Sequence, residues 1–385
     1  MHARPRIPVV APRHLAALAA LALPLSATAA NPSSCDFSAL DAPMQSLMQQ
    51  AGLPGAAVLV GRRDGVLYER YYGSYTATTV VPIASATKLL SAARIAQLAA
   101  RGTLALDAPV STVLPQFSGL KGQMTLHQMF SHTAGYGDDE DSPVLRTNQP
   151  SLAAAVDTVA CCVAMPNGWT PGAQFAYGGI SMHIGGRMAE VASGQDWQQG
   201  WIDAIAQPLG ITTIDWQGLG ATSNYRISGG ARSNLRDYGR FLAVLVNEGI
   251  GNGHRILDTA ALPSLFTDNV GSLPIAYAPP SAPPAGQLRY ALGNWIESAP
   301  GADGLATHSS LGAFGFFPWL DRTRGLYGVF MIRGGANVNA TARPIYLQML
   351  DTVRALADGG TCIPVEISDA ILRDGFDGSA QRTLR

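Results

Sequence analysis

The strand-like segments of this chain are split between its two ends, and that split limits the folds open to it. Residues 56–62 and 66–71 flank Arg63-Asp64-Gly65 and read as a β-hairpin. From about residue 104 to residue 265 the apolar positions recur mostly at helical spacing, cut by Gly, Pro and Asn turns. Strand patterning returns at 290–297, 315–320 and 326–333, with residues 321–325 as the turn joining the last two. An amphipathic helix is predicted over 37–50, with Leu40, Met44, Leu47 and Met48 on one side, and a closing helix over 341–357. The order is helix, strands, long helical insert, strands, helix. Such a chain folds as α+β: a mixed lobe whose antiparallel sheet is split in sequence and flanked by terminal helices, with an all-helical lobe inserted.

The first thirty residues read as an export leader rather than part of the fold. Arg4, Arg6 and Arg13 make a basic start, residues 15–25 are apolar but short for a bilayer, and Ala27-Thr28-Ala29 supplies small residues for cleavage. No cysteine follows that point at once, and no later run is long and apolar enough for a membrane helix. The expectation is a periplasmic or secreted protein with no membrane anchor in its mature form. Without the leader the chain carries 23 basic against 27 acidic residues, a net of about −4, which argues against nucleic acid as a partner. Four cysteines in an exported chain make disulfides plausible. The predicted organisation is a leader over 1–30, one catalytic domain over 31–363 and a polar tail over 364–385. The domain divides into a mixed lobe at about 35–90 and 288–360 and a helical lobe at about 91–287. The stretch 272–287 is rich in proline and reads as a loop, either bordering a site or simply connecting surface elements.

Chemistry concentrates first at Ser85-Ala86-Thr87-Lys88. The run follows an apolar segment and opens a helix-like pattern that continues to Ala100. Positions i and i+3 share a helix face, so Lys88 can lie against the Ser85 hydroxyl. A buried lysine beside polar groups can lose its proton near neutral pH and serve as the local base. Ser118-Gly119-Leu120-Lys121 has the same spacing and holds the only other lysine, but it sits between Pro115 and Gly122 and reads as a loop.

A serine–lysine pair also needs a proton path and oxyanion donors. Tyr177, between Pro171-Gly172 and Gly178-Gly179, is held on a loop from which its hydroxyl can enter a cleft, and a neighbouring ammonium shifts a phenol toward phenolate. Thr307-His308-Ser309-Ser310-Leu311-Gly312 precedes a predicted strand, and its small residues leave room for substrate along the strand edge. The N–H of Ser85 and one from this segment are candidates for an oxyanion hole. No G-x-S-x-G elbow, H-E-x-x-H or paired-histidine metal spacing occurs, so no metal or other cofactor is expected. His127 and His132 read as structural, and Asp138-Asp139-Glu140-Asp141 as a solvated acidic loop near the cleft, with a cation-attracting rim as the alternative.

Together these elements resemble the serine β-lactamase and penicillin-binding-protein-like superfamily, and most closely its class C β-lactamase-like branch, which includes family VIII carboxylesterases. Leu126-His127-Gln128-Met129-Phe130-Ser131-His132-Thr133-Ala134-Gly135 is similar to that family's L-x-x-H-T-S-G stretch. Gly229 to Phe241 is similar to its G-G-x-x-S-x-x-D-x-x-R-F segment. The resemblance implies a β-lactamase/transpeptidase-like fold, a Ser85 nucleophile, Lys88 and Tyr177 as proton carriers, and substrate or oxyanion contacts from Gly179, His308, Ser309, Ser310 and Leu311. Two departures stand out. Gly179 replaces the asparagine two places after the motif tyrosine, and His308-Ser309-Ser310 replaces K-T-G. Both make β-lactam recognition doubtful and favour small or oligomeric esters. The alternatives are a peptidase or amidase acting on D-amino-acid peptides, oligoamides or β-lactams, and a non-catalytic binding module. In the resembled fold the two terminal helices pack side by side, which implies a Cys35–Cys362 bridge. Cys161 and Cys162 are then left either as free thiols or as a vicinal bond across Cα atoms about 3.8 Å apart.

Overall fold

The computed structural model describes residues 35–283, 285–298, 305–335, 337–360 and 362. The expected leader and tail lie outside them. The split strands meet in one antiparallel sheet. Its members are β1 (Gly55–Arg62), β2 (Gly65–Gly73), β3 (Trp295–Ile296), β4 (Thr307–Ser309), β5 (Phe316–Asp321) and β6 (Leu326–Met331), in the spatial order β2-β1-β6-β5-β4-β3. The junction is the pairing of β1 with β6, Ala57 opposite Met331 through Arg62 opposite Leu326. Residues more than 260 apart in sequence thereby become neighbours.

Both sheet faces are covered, and β1 shows how. Ala56, Val58 and Val60 enter one apolar cluster, while Ala57 and Leu59 enter another on the opposite face, as a side-chain period of two requires. The first face is covered by α1 (Asp41–Ala51) and the closing helix, with Met44, Leu47, Tyr346 and Met349 in the cluster. Helices α2 (Thr87–Ala100), α3 (Ile180–Ser193) and α4 (Leu235–Val246) contribute to the second cluster, α4 lying directly on β1 and β6. The closing helix, α5 (Val338–Gly359), starts three residues earlier than its apolar pattern suggested.

Cys35 and Cys362 are bridged, their Cα atoms 4.7 Å apart, where α1 and α5 pack together. Cys161 and Cys162 are also bonded to each other, at the exposed end of the helix Leu152–Cys162. The inserted stretch is mainly helical but also holds short strand pairs. One of them joins Phe175–Ala176 in parallel to Ile275–Tyr277, and it fixes the proline-rich loop beside Tyr177.

The segment resembling G-G-x-x-S-x-x-D-x-x-R-F has a structural explanation. Asn234 caps α4 by accepting from the Asp237 N–H at 2.7 Å. Asp237 Oδ2 accepts from the Thr212 and Thr213 N–H groups, and Oδ1 from Arg240. A fully buried carboxylate thus anchors a loop to the helix that lies on the sheet.

Candidate active site

Ser85 sits in a tight turn that runs straight into α2. The preceding Ala84 has φ +46°, a conformation costing a non-glycine residue of order 1–3 kcal/mol. Hydrogen bonds hold that turn in place. Thr87 Oγ1 donates to the Ala84 carbonyl at 2.6 Å, the Ile83 N–H to the Ala231 carbonyl at 3.0 Å, and Tyr238 Oη to the Ala86 carbonyl at 2.7 Å. Ser85 is consequently presented half-exposed on a rigid base, lining a cavity of about 220 Å³.

Lys88, one helical turn on, is 1% exposed. Its Nζ donates to Ser85 Oγ at 3.1 Å, Glu140 Oε1 at 3.0 Å and the Ser228 carbonyl at 2.9 Å. The amine lies 4.4 Å from the centroid of the Tyr177 ring. Gly293, with φ +71°, allows its loop to pass directly against the Lys88 carbonyl.

The charge on Lys88 differs from the sequence expectation. Burial pushes the amine toward its neutral form, but Glu140, followed by the Tyr177 hydroxyl, outweighs burial and raises its pKa above the ordinary 10.5. The contact with Glu140 thus favours the ammonium over the free amine. Burial opposes the charge on Glu140 too, yet Lys88 and Arg226 together hold its carboxyl at about 2. Arg226 donates to the Glu140 carboxylate and, through Nη2, to its backbone carbonyl at 2.8 Å.

Glu140 is the residue that sequence reasoning missed. Asp138 and Asp141 are exposed side chains, as a solvated loop would have them, but Asp139 and Glu140 are drawn into the site. Asp138 N–H donates to the Tyr177 carbonyl at 2.8 Å, and Asp139 Oδ1 accepts from the Gly179 N–H at 2.6 Å and the Ile180 N–H at 3.3 Å, where α3 begins. Burial, partly offset by these bonds, raises the Asp139 carboxyl to about 6.

Tyr177 lines the same cavity as Ser85. Its ring stacks on Trp295 at 5.4 Å and packs against His132 at 4.4 Å. His132 is fully buried and its Nε2 meets the Tyr290 hydroxyl at 3.2 Å; burial and the Lys88 charge hold its pKa well below 6.5. His127 bridges Asp107 and Asn269 at the surface. Tyr277, Pro279 and Ser281 form one wall of the cavity, so the proline-rich loop borders the site. Leu219, Leu311, Ala313 and Phe314 make the lining predominantly apolar.

The third motif is placed differently from the expectation. Leu311 reaches the cavity, but His308 is 1% exposed, its Nδ1 2.8 Å from Asn294 Oδ1 and its ring packed on Phe266. Burial and nearby Arg322 hold it neutral, with a pKa of about 3. Ser309 Oγ donates to Glu297, and Ser310 Oγ donates to the Ser85 and Gly293 carbonyls. These three side chains therefore brace the site, because each already has partners within the fold. Gly179 lies beneath Glu140 at the start of α3.

The look-alike pair diverges. Ser118 precedes a four-residue helix, Gly119–Gly122, where a loop was expected, and Lys121 Nζ donates to the Val159 and Ala160 carbonyls at 2.8 and 2.9 Å. Among the described residues no group of three or more His, Cys, Asp or Glu is arranged to hold a metal ion.

A family model described as Beta-lactamase matches residues 40–349. A solved β-lactamase-like protein of Bacteroides dorei DSM 17855 is 34% identical, with a TM-score of 0.74 over 83% of this chain and 99% of that one. Esterase EstB of Burkholderia gladioli is 28% identical over 197 residues, 45% of this chain and 49% of its own length. Penicillin-binding protein 4 of Amycolatopsis lactamdurans is 30% identical over 178 residues, 43% of this chain and 45% of its own. The match spans about half the length of these curated relatives. With the serine–lysine pair, the split antiparallel sheet and a family match over most of its length, the chain belongs to the β-lactamase family.

Proposed function

We propose that this protein is an exported serine hydrolase that forms an acyl-enzyme on Ser85, with small, uncharged esters as its preferred substrates. The observation that carries the reading is the Ser85 Oγ to Lys88 Nζ contact of 3.1 Å at a cavity that Tyr177 also lines. Ser85 Oγ attacks the ester carbonyl and the Oγ–C bond forms. With Lys88 held as an ammonium, Tyr177 enters the step as its phenolate, takes the Ser85 proton, and as the phenol passes it to the departing alkoxide. Water then repeats the sequence on the acyl-enzyme and releases the acid. Helix-start N–H groups lack intrahelical partners, so the Ser85 N–H, with that of Leu311, suits the oxyanion.

The ester preference follows from the lining. The position of the K-T-G lysine holds a neutral histidine turned to Asn294, and the Arg226 guanidinium is paired with Glu140. The predominantly apolar walls favour uncharged acyl groups. Export is supported by the leader-like start and by the two disulfides.

The test is a panel of p-nitrophenyl esters, a chromogenic cephalosporin and a D-alanyl peptide, run on the wild type and on Ser85→Ala. Short esters should give the highest kcat/KM, Ser85→Ala should abolish turnover and fluorophosphonate labelling, and Ser118→Ala should keep both. Efficient cephalosporin or peptide cleavage with poor ester turnover reverses the preference. Labelling mapped to Ser118 removes the mechanism.

A further inference from the structure

Lys88 faces a carboxylate where the family's tyrosine motif would supply an amide. That asparagine is Gly179 here, and the space its side chain would fill is already taken. A Cβ placed on Gly179 would lie 2.6 Å from Leu145 Cδ1, 2.8 Å from Ser228 Oγ and 3.5 Å from Glu140 Oε2. Glu140 reaches this space from a separate segment, and its other oxygen accepts from Lys88 Nζ at 3.0 Å.

We propose that Glu140 is the positioning residue of this site, taking the place of the missing asparagine and holding the Lys88 side chain against Ser85. The proposal rests on the Ser85 acyl-enzyme reading. Its geometric basis is that the Glu140 carboxylate is tied to Lys88 on one oxygen and to Arg226 on the other. Its neighbours Asp138 and Asp139 are hydrogen-bonded to Tyr177 and Gly179, and Arg226 grips both its carbonyl and its carboxylate. An acidic side chain on a solvated rim has no such anchors. The replacement also changes the chemistry. An amide can orient a lysine in either protonation state, whereas a carboxylate selects the ammonium. Glycine at 179 fits against Leu145 and Ser228, where a Cβ would not, and leaves the space beside Oε2 to the carboxylate.

The groups facing this pair are Arg226 and Asp139 beside Glu140, the Tyr177 hydroxyl beside Lys88, the Tyr277 and Tyr290 hydroxyls, and the neutral His132 ring. Arg226 repels Lys88 and Asp139 attracts it, so Glu140 is the carboxylate in direct contact. Burial is the largest influence on Lys88 and Glu140 the largest that opposes it, so without the Glu140 charge the ammonium is lost at lower pH.

The experiment is the pH profile of kcat/KM for p-nitrophenyl butyrate in the wild type, Glu140→Gln and Glu140→Asp, with fluorophosphonate labelling of each. Glu140→Gln should move the alkaline limb down by about 1–3 pH units, the span that one opposite charge covers. Its kcat should fall more than its KM rises. Glu140→Asp, which keeps the charge, should restore most of the limb. An unmoved alkaline limb in a Glu140→Gln protein that still labels at Ser85 overturns the proposal and leaves the hydrolase reading standing. A wild type that labels at another serine overturns the hydrolase reading itself. If Glu140→Gln does not fold, Glu140→Ala takes its place: its alkaline limb should lie below the wild-type one and rise again when formate returns a carboxylate to the vacated space, and a limb at the wild-type position without formate overturns the proposal.

Discussion

Replacing Lys88 by methionine should separate activity from stability, because the forces on this side chain nearly cancel in folding but not in catalysis. Methionine keeps an unbranched chain of similar reach and removes the charge. In the folded state Nζ makes three hydrogen bonds, to Ser85, Glu140 and Ser228. Charge-assisted bonds contribute about 1.5–3 kcal/mol each, so about 5–9 kcal/mol of interaction is lost. Against that stands the desolvation of an ammonium that is 1% exposed, an effective cost of several kcal/mol that methionine does not incur. Glu140 keeps Arg226 as a partner and is 32% exposed at its side chain, so its charge is not stranded. The net change in stability should fall within about 2 kcal/mol of zero, with Tm moving by ~5 °C or less. No such cancellation protects the rate. A preorganised charged donor beside the nucleophile is worth ~10²–10³-fold, or about 3–4 kcal/mol of barrier. The assay is kcat and KM on p-nitrophenyl butyrate beside a thermal unfolding curve for the same preparation. Loss of less than tenfold in kcat together with a Tm drop beyond 10 °C would show that Lys88 is a buttress of the fold, and the reasoning would be refuted.

Asp139→Asn should flatten one part of the pH–stability profile. The carboxyl is raised to about 6 from an ordinary 3.8, so the folded state holds that proton more tightly than the unfolded chain. The wild type therefore gains up to about 3 kcal/mol as pH falls from about 6 toward 4, a gain the asparagine variant lacks; parallel denaturant curves at pH 4 and pH 7 decide it, and an unchanged difference between the two pH values contradicts it. Cys35→Ser opens a bridge of sequence separation 327, for which the chain-entropy ceiling is about 6 kcal/mol and ordinary losses run ~2–4 kcal/mol. The double variant Cys161→Ser/Cys162→Ser opens no long loop and should leave Tm within ~2 °C; calorimetry compares the two, and an equal drop in both is the contrary result.

What could be read from the residues, and what could not, follows the range of the forces involved. The hairpin and the strands β5 and β6 were legible because runs of six or more apolar-rich residues with turn signals between them leave few alternatives. Strand β4 was not, because three residues, Thr307 to Ser309, carry no period. It exists because β5 on one side and β3 on the other supply its hydrogen bonds. Ser85 and Lys88 were legible for a similarly local reason, since one turn of helix fixes their relation. The lysine's charge was not, because its counter-ion lies 52 residues away in a run of acids whose composition is that of a solvated loop.

The sequence nevertheless held part of that answer as a demand rather than a location. A lysine buried on the apolar start of a helix must either lose its proton or meet a carboxylate. The motif position that ordinarily furnishes a polar neighbour is Gly179 and furnishes nothing. The only acidic cluster between that helix and Tyr177 is 138–141, and its place just after the H-T-x-G stretch puts it at the cleft. Taken together, the empty position and the unplaced acids point to each other. What no local rule supplies is which of the four acids turns inward, and the structure decides that by giving Arg226 to Glu140 and the Gly179 and Ile180 N–H groups to Asp139.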